Sequence, residues 1–210
     1  MGTPAAAESC HRTSRAGNLC GFARGAISSL VAFLLLFAHS APTLAADPLR
    51  LDEYQIKAGF LFNFTRFVSW PDRVYTTATS PTVICVVGDT PLADPLAEAA
   101  AGKVFGGRAV LIRRMKAADD PRGCHILFIS SKEKGHALRI LEDAKGLNIL
   151  TVGEDPGLIG AGAVIVLSIQ DNRVKVEINL EAAARAELKI SAKLIAVSHI
   201  VSSALPERGN

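Results

Sequence analysis

Thr82-Val83-Ile84-Cys85-Val86-Val87-Gly88-Asp89-Thr90-Pro91 is the stretch on which the fold turns. Its first six residues are mostly β-branched and apolar after Thr82, so they offer water no polar face. That is expected of a strand covered on both sides of a sheet. Gly88-Asp89 supplies a turn, and Pro91 opens a helical stretch over Leu92–Ala101. The same alternation continues outward. Gly102, Gly106 and Gly107 interrupt the chain, Arg108–Arg114 reads as a second strand and Cys124–Ile129 as a third. Ser130 and Glu133 form a capping box for a helix reaching Lys145. Asn148–Val152 is a fourth strand, followed by a turn-rich loop from Gly153 to Gly162. Ala163–Ile169 and Arg173–Asn179 read as an antiparallel pair joined by Gln170-Asp171-Asn172. Two helices close the chain, Leu180–Leu188 and Ile190–Ser202, the second with Ile190, Leu194, Val197 and Val201 on one face. The expected fold is α/β, a single domain with a mixed, mainly parallel sheet of about six strands flanked by about five helices.

Upstream of the first strand, Glu53–Trp70 is helical in pattern. Ile56, Phe60, Phe64 and Phe67 fall in one sector at 100° per residue, Leu61 and Val68 widen it, and Pro71 ends it. Opposite lie Gln55, Thr65, Arg66 and Ser69, with Phe62 among them. An aromatic ring on a polar face is a candidate protein contact.

The front of the chain differs from the rest. Arg12, Arg15 and Arg24 stand against a lone Glu8, an uncharged run follows from Ala26 to Phe37, and Thr43-Leu44-Ala45 sets small residues at a cleavage site. This order is that of a secretory signal peptide, and the run is shorter than the roughly 20 residues of a membrane span. The expectation is a signal peptide over 1–45, a domain over 46–210 and a location outside the cytoplasm. Removing the leader takes three Arg and one Glu, so the net charge falls from +3 to +1. With no basic cluster interleaved with aromatics, nucleic-acid binding is excluded. Cys10 and Cys20 leave with the leader, and Cys85 and Cys124 remain. An even pair in an exported chain most simply forms one disulfide, whose loop would stabilise the fold by about 4 kcal/mol. Two inert buried thiols are the other reading.

Reactive constellations are absent from the pattern. His125, His136 and His199 share no helix face and have no ligand-spaced partners, so no metal site is expected. Gly157-Leu158-Ile159-Gly160-Ala161-Gly162 leads into a strand, whereas a dinucleotide loop leads into a helix. Ser131-Lys132-Glu133-Lys134 matches S-x-x-K, yet S-D-N and K-T-G are missing. No catalytic residue and no cofactor is expected. Gly88-Asp89-Thr90-Pro91 is the most site-like turn, because it ends a strand and opens a helix where α/β folds bind ligands. Capping by Asp89 or Thr90 explains the same residues.

Lys57-Ala58-Gly59-Phe60-Leu61-Phe62-Asn63-Phe64-Thr65-Arg66-Phe67-Val68-Ser69-Trp70-Pro71 resembles the opening K-A-x-F-L-x-N-F-x-x-F-x-x-W-P signature of the YfiR family. Cys85 with Gly88-Asp89, the run Cys124–Ser131 and Leu150-Thr151-Val152-Gly153 follow in that family's order. Val176-Glu177-Ile178-Asn179-Leu180, then Ala183, Ala186 and Leu188-Lys189-Ile190-Ser191, resemble its closing block. The resemblance spans residues 53–203. It implies an α/β periplasmic regulator without catalysis, which inhibits a membrane-bound diguanylate cyclase through that enzyme's periplasmic portion. Cyclic di-GMP and biofilm formation are thereby controlled. It further implies sequestration by an outer-membrane lipoprotein, a homodimer, and a disulfide between Cys85 and Cys124. The second cysteine pair of the best-known member has no counterpart near Val164. The contact surfaces expected are Phe62 and Arg66 on the first helix and Glu177 and Asn179 at the strand-to-helix segment. The alternative is a periplasmic small-molecule binding or sensing protein using the Gly88–Pro91 turn.

Overall fold

The structure is a computed structural model that describes residues 48–171 and 173–201; the expected signal peptide lies outside them. The chain opens with α1 (Pro48–Phe67) and runs through β1 (Val68–Ser69) to β2 (Thr82–Val87), α2 (Ala93–Ala100), β3 (Val104–Phe105) and β4 (Arg108–Met115). It continues with β5 (Ile126–Ile129), α3 (Ala137–Asp143), β6 (Leu150–Gly153), α4 (Gly157–Gly160), β7 (Ile165–Gln170) and β8 (Arg173–Ile178). Last come α5 (Leu180–Arg185), β9 (Lys189–Ile190), α6 (Ala192–Ile195) and β10 (His199–Ile200). Eight strands form one sheet in the order β10-β8-β7-β6-β5-β2-β4-β3, and β1 pairs with β9 apart from it. Neighbouring strands from β4 to β7 are parallel, while the β7–β8 and β3–β4 pairs are antiparallel. The mixed, mainly parallel α/β sheet expected from the sequence is therefore present.

The continuous apolar strands divide their side chains between two cores. Ile84, Val86, Ile126 and Phe128 face the layer of α1, α2 and α5, where Leu61, Phe64 and Leu96 meet them. Cys85, Val87, Leu127 and Ile129 face the other way, under Ile140 of α3 and Leu158 of α4. Covering on both faces removes the polar alternation that a half-exposed strand shows. β2 and β5 lie side by side in parallel register, and Cys85 and Cys124 are joined by a disulfide with Cα atoms 5.8 Å apart. Arg113 of β4 lies over it, its Nε 3.3 Å from Cys85 Sγ and its Nη2 2.8 Å from Cys124 Sγ.

Three expectations need correction. The buried line of α1 is Tyr54, Lys57, Ala58, Leu61 and Phe64, continued by Val68 of β1, whereas Ile56 is half exposed and Phe60 and Phe67 are only partly covered. The helix is apolar around most of its girth, so the aromatic spacing gives the wrong phase. The helix expected over Ile190–Ser202 is instead β9, the single turn α6 and β10, because Ile190 pairs with Val68 and Ile200 with Ile178. Of its expected face, Leu194 is buried and Val197 is exposed. Ser130 does accept the N–H of Lys132, but the return half of the capping box is missing. Glu133 turns to His136, and the regular helix begins only at Ala137.

Candidate partner-binding surface

Ligands of parallel sheets bind beyond the carboxyl ends of the strands, and here that rim is filled by the protein's own charges. Gly88 leaves β2 with φ +93°, and its N–H bonds Met115 O at 3.1 Å. A Cβ at Gly88 would come within 2.7 Å of Glu133 Cγ, so Glu133 occupies the space above the turn. Asp89 pairs with Lys132 at 3.1 Å, and Lys134 with Asp155 at 2.9 Å. Thr90 is buried and accepts the N–H of Leu92. The helix then starts at Ala93, without a side-chain cap. The small-molecule reading of this turn thus meets a site already satisfied from within.

Deeper on the same rim lies a buried ion pair. Lys57 Nζ of α1 donates to Glu154 Oε1 at 2.8 Å, and both side chains are almost wholly enclosed. Glu154 Oε2 also accepts the N–H of Ser131 at 2.8 Å, and Glu53 completes the ammonium's partners. Burial works against the charged ammonium, but the bonds from Glu154 and Glu53 outweigh it and hold the Lys57 pKa above the ordinary lysine value. The main-chain N–H of Ser131 and the ammonium of Lys134 are both engaged with carboxylates of the 154–155 segment.

At the opposite end of the sheet, His125 precedes β5. Its Nδ1 accepts the N–H of Val83 at 3.1 Å, which fixes the proton on Nε2, and Nε2 is buried without a partner among the described residues. Tyr75 stacks on the ring at 4.7 Å, Trp70 meets it edge-on at 6.2 Å, and the Arg108 guanidinium covers the Tyr75 ring at 3.6 Å. Burial first, and the Arg108 charge second, push the His125 pKa down to about 4. This cluster and the Lys57–Glu154 pair were not anticipated from the sequence. Among the described residues no group of three or more His, Cys, Asp or Glu gathers as metal ligands would.

The four residues expected to meet a partner occupy unlike settings. Arg66 is exposed on α1, its guanidinium 4.9 Å above the Phe105 ring and 6.0 Å from Phe67. Phe62 is half-buried and packs against the core beneath it, so only part of the ring is available. Glu177 of β8 pairs with Lys175 at 2.9 Å and is largely covered, its side chain only 14% exposed. Asn179 is fully buried: its Oδ1 accepts the N–H of Ala182 at 2.8 Å to cap α5, and its Nδ2 donates to Ile159 O. It builds the frame behind the surface and leaves nothing for a partner to touch. Arg66 and Glu177 lie on different elements, and no direct contact joins them.

Two solved structures resemble the chain at low identity. A conserved domain protein from Vibrio cholerae O1 biovar El Tor superposes with a TM-score of 0.50 at 12% identity, over 71% of this chain and 60% of its own. The ABC domain in complex with L-Trp from Streptococcus pneumonia gives 0.45 at 5% identity, over 57% and 55%. The chain thus spans 60% and 55% of the length of these two structures, and the first likeness concerns fold alone. No curated protein matches the chain. A family profile described as YfiR/HmsC-like matches residues 54–199, from the buried face of α1 to the first residue of β10. With that match over most of its length, the chain belongs to the YfiR/HmsC-like family.

Proposed function

We propose that this protein is a periplasmic, non-catalytic regulator that inhibits a membrane-bound signalling enzyme, a diguanylate cyclase, by binding the enzyme's periplasmic portion. Control of cyclic di-GMP and of biofilm formation follows from that binding. Family membership over residues 54–199 carries the reading. The surface is in keeping with it: the rim charges neutralise one another, and Arg66 stands exposed between two aromatic rings. No helix among the described residues is long and apolar enough to cross a membrane. Phe62, Arg66 and Glu177 are the proposed contacts, with a homodimer as the working form and an outer-membrane lipoprotein as a second partner. Such a regulator acts by binding one state of its receptor better than another, and the shift equals that difference in affinity.

The test is deletion and complementation. Loss of the gene should raise cyclic di-GMP and surface adhesion, and a plasmid copy should restore both. Unchanged nucleotide levels in the deletion strain would refute the cyclase reading.

A further inference from the structure

β8 is flanked on one side by β7 along its whole length, Gln170↔Arg173 to Ile165↔Ile178. On the other side, β10 covers only its last two residues, His199↔Glu177 and Ile200↔Ile178. The hairpin pairs odd-numbered β8 residues toward β7, as Asn179 N–H to Val164 O continues beyond the strand. Even-numbered residues therefore direct their backbone groups outward, and Ile178 O indeed accepts the N–H of Val201 on that side at 2.9 Å. By the same alternation the N–H and C=O of Val174 and the N–H of Val176 point out from the sheet, with no described strand beside them. An uncovered row of this kind is a template for strand addition.

The side chains around the row state what would fit. Arg173, Lys175 and His199, with Gln170, Asp171 and Val174, border an open hollow of about 430 Å³ alongside the edge. Glu177, the carboxylate nearest Lys175 on its own strand, is already paired with it, and no ion-pair partner of Arg173 is found among the described residues. On the opposite face, Ile169 lies 43% exposed across from Val174. A second copy is a poor occupant. Antiparallel pairing of two β8 edges with Val174 against itself sets Arg173 against Lys175 of the other copy, and the register with Lys175 against itself would need Arg173 beside Glu177, where His199 of β10 already lies.

We infer that the open edge of β8 at Val174–Val176 is a strand-addition site for an extended acidic segment of another protein, with carboxylates facing Arg173 and Lys175 and β-branched residues beside Val174. The inference deepens the proposed function, because it rests on the chain acting by binding and names how a segment of the receptor would be held. Between the hollow, where Arg173 and Lys175 outnumber the single carboxylate of Asp171, and the apolar strip, alternate side chains of the added strand meet opposite chemistries, and three backbone bonds fix its register.

The probe is an acetylated, amidated octapeptide of alternating Glu and Val, titrated into the full processed chain and followed by fluorescence anisotropy and amide hydrogen exchange. It should bind with Kd below about 1 mM and slow exchange at Val174 and Val176. The alternating Lys-Val peptide and a peptide N-methylated on its Val residues should each bind at least about tenfold more weakly. Val174→Pro removes one outward N–H at a position where an edge strand tolerates proline, and should abolish binding with the far-UV spectrum unchanged. If that variant misfolds, the R173E/K175E double variant serves instead, and should exchange the preference from the Glu to the Lys peptide. No binding of the Glu-Val peptide, or binding indifferent to N-methylation, would overturn the inference. Neither result bears on whether deletion raises cyclic di-GMP, so the two readings fail separately.

Discussion

Lys57 is an ammonium in an almost dry setting, kept charged by Glu154 and Glu53. Removing one partner of such a pair is costlier than never having built it, because the other charge stays buried and alone. Lys57→Met should therefore lower stability by about 3–5 kcal/mol in urea unfolding at neutral pH. The double variant K57M/E154Q should recover most of that loss, since the amide oxygen introduced by Glu154→Gln still accepts the Ser131 N–H without a charge. A double variant as unstable as the single would show that the pair is not the source. His125 obeys the opposite logic. Its folded pKa of about 4 lies below the free value of 6.5, so the unfolded chain binds the proton first. Stability is whole above pH 6.5 and is lost as pH falls toward 4, by up to about 3 kcal/mol. His125→Asn keeps an acceptor for the Val83 N–H and has nothing to titrate. Chemical denaturation from about pH 7 to 4 should show a flatter slope for that variant, whatever its absolute stability; an equal slope would assign the acid loss to other groups.

Among the elements, those decided by local chemistry were legible and those decided by a distant partner were not. Thr82–Val87 could be read because burial on both faces writes itself as an unbroken apolar run, and the Cys85–Cys124 bridge agrees with its neighbour β5. α1 could be recognised as a helix but not oriented, because Ile56, Phe60, Phe62, Phe64 and Phe67 surround it with apolar bulk. Only the sheet, and an ion pair to a residue 97 positions away, select the buried side. β9 and β10 were invisible, since two-residue strands exist only through the strands they join. The same distinction marks the candidate surface: Arg66 could be read as exposed from its charge, whereas Asn179 looked available and is consumed as a cap. The bridge carries the prediction at this scale. It joins residues 39 positions apart, Cys85 in β2 and Cys124 two residues before β5, and the ladder already holds those two strands together. C85A/C124A should therefore keep its far-UV spectrum while losing about 4 kcal/mol in urea unfolding. An unchanged midpoint would mean that the ladder alone sets the spacing of β2 and β5.

For the whole molecule, regulation by binding requires that contact and stability be separable, and Arg66 is the residue that separates them best. Phe62 is half sunk in the core, so Phe62→Ala would weaken the fold and the contact together. Arg66 is exposed, and its stacking on Phe105 and Phe67 contributes about 0.5–1 kcal/mol at such a site. Arg66→Glu should thus leave the thermal midpoint within a few degrees of the parent. It should also reverse the sign of the charge presented to a receptor. If the α1 surface contributes about 1.4 kcal/mol of the preference for the inhibited receptor, its loss weakens repression tenfold. The measurement is cyclic di-GMP in a deletion strain carrying either the parent or the Arg66→Glu gene at matched protein levels. The variant should restore folding and abundance but not repression. Full repression by the variant would remove α1 from the contact, and would leave the β8 side as the surface through which the protein acts.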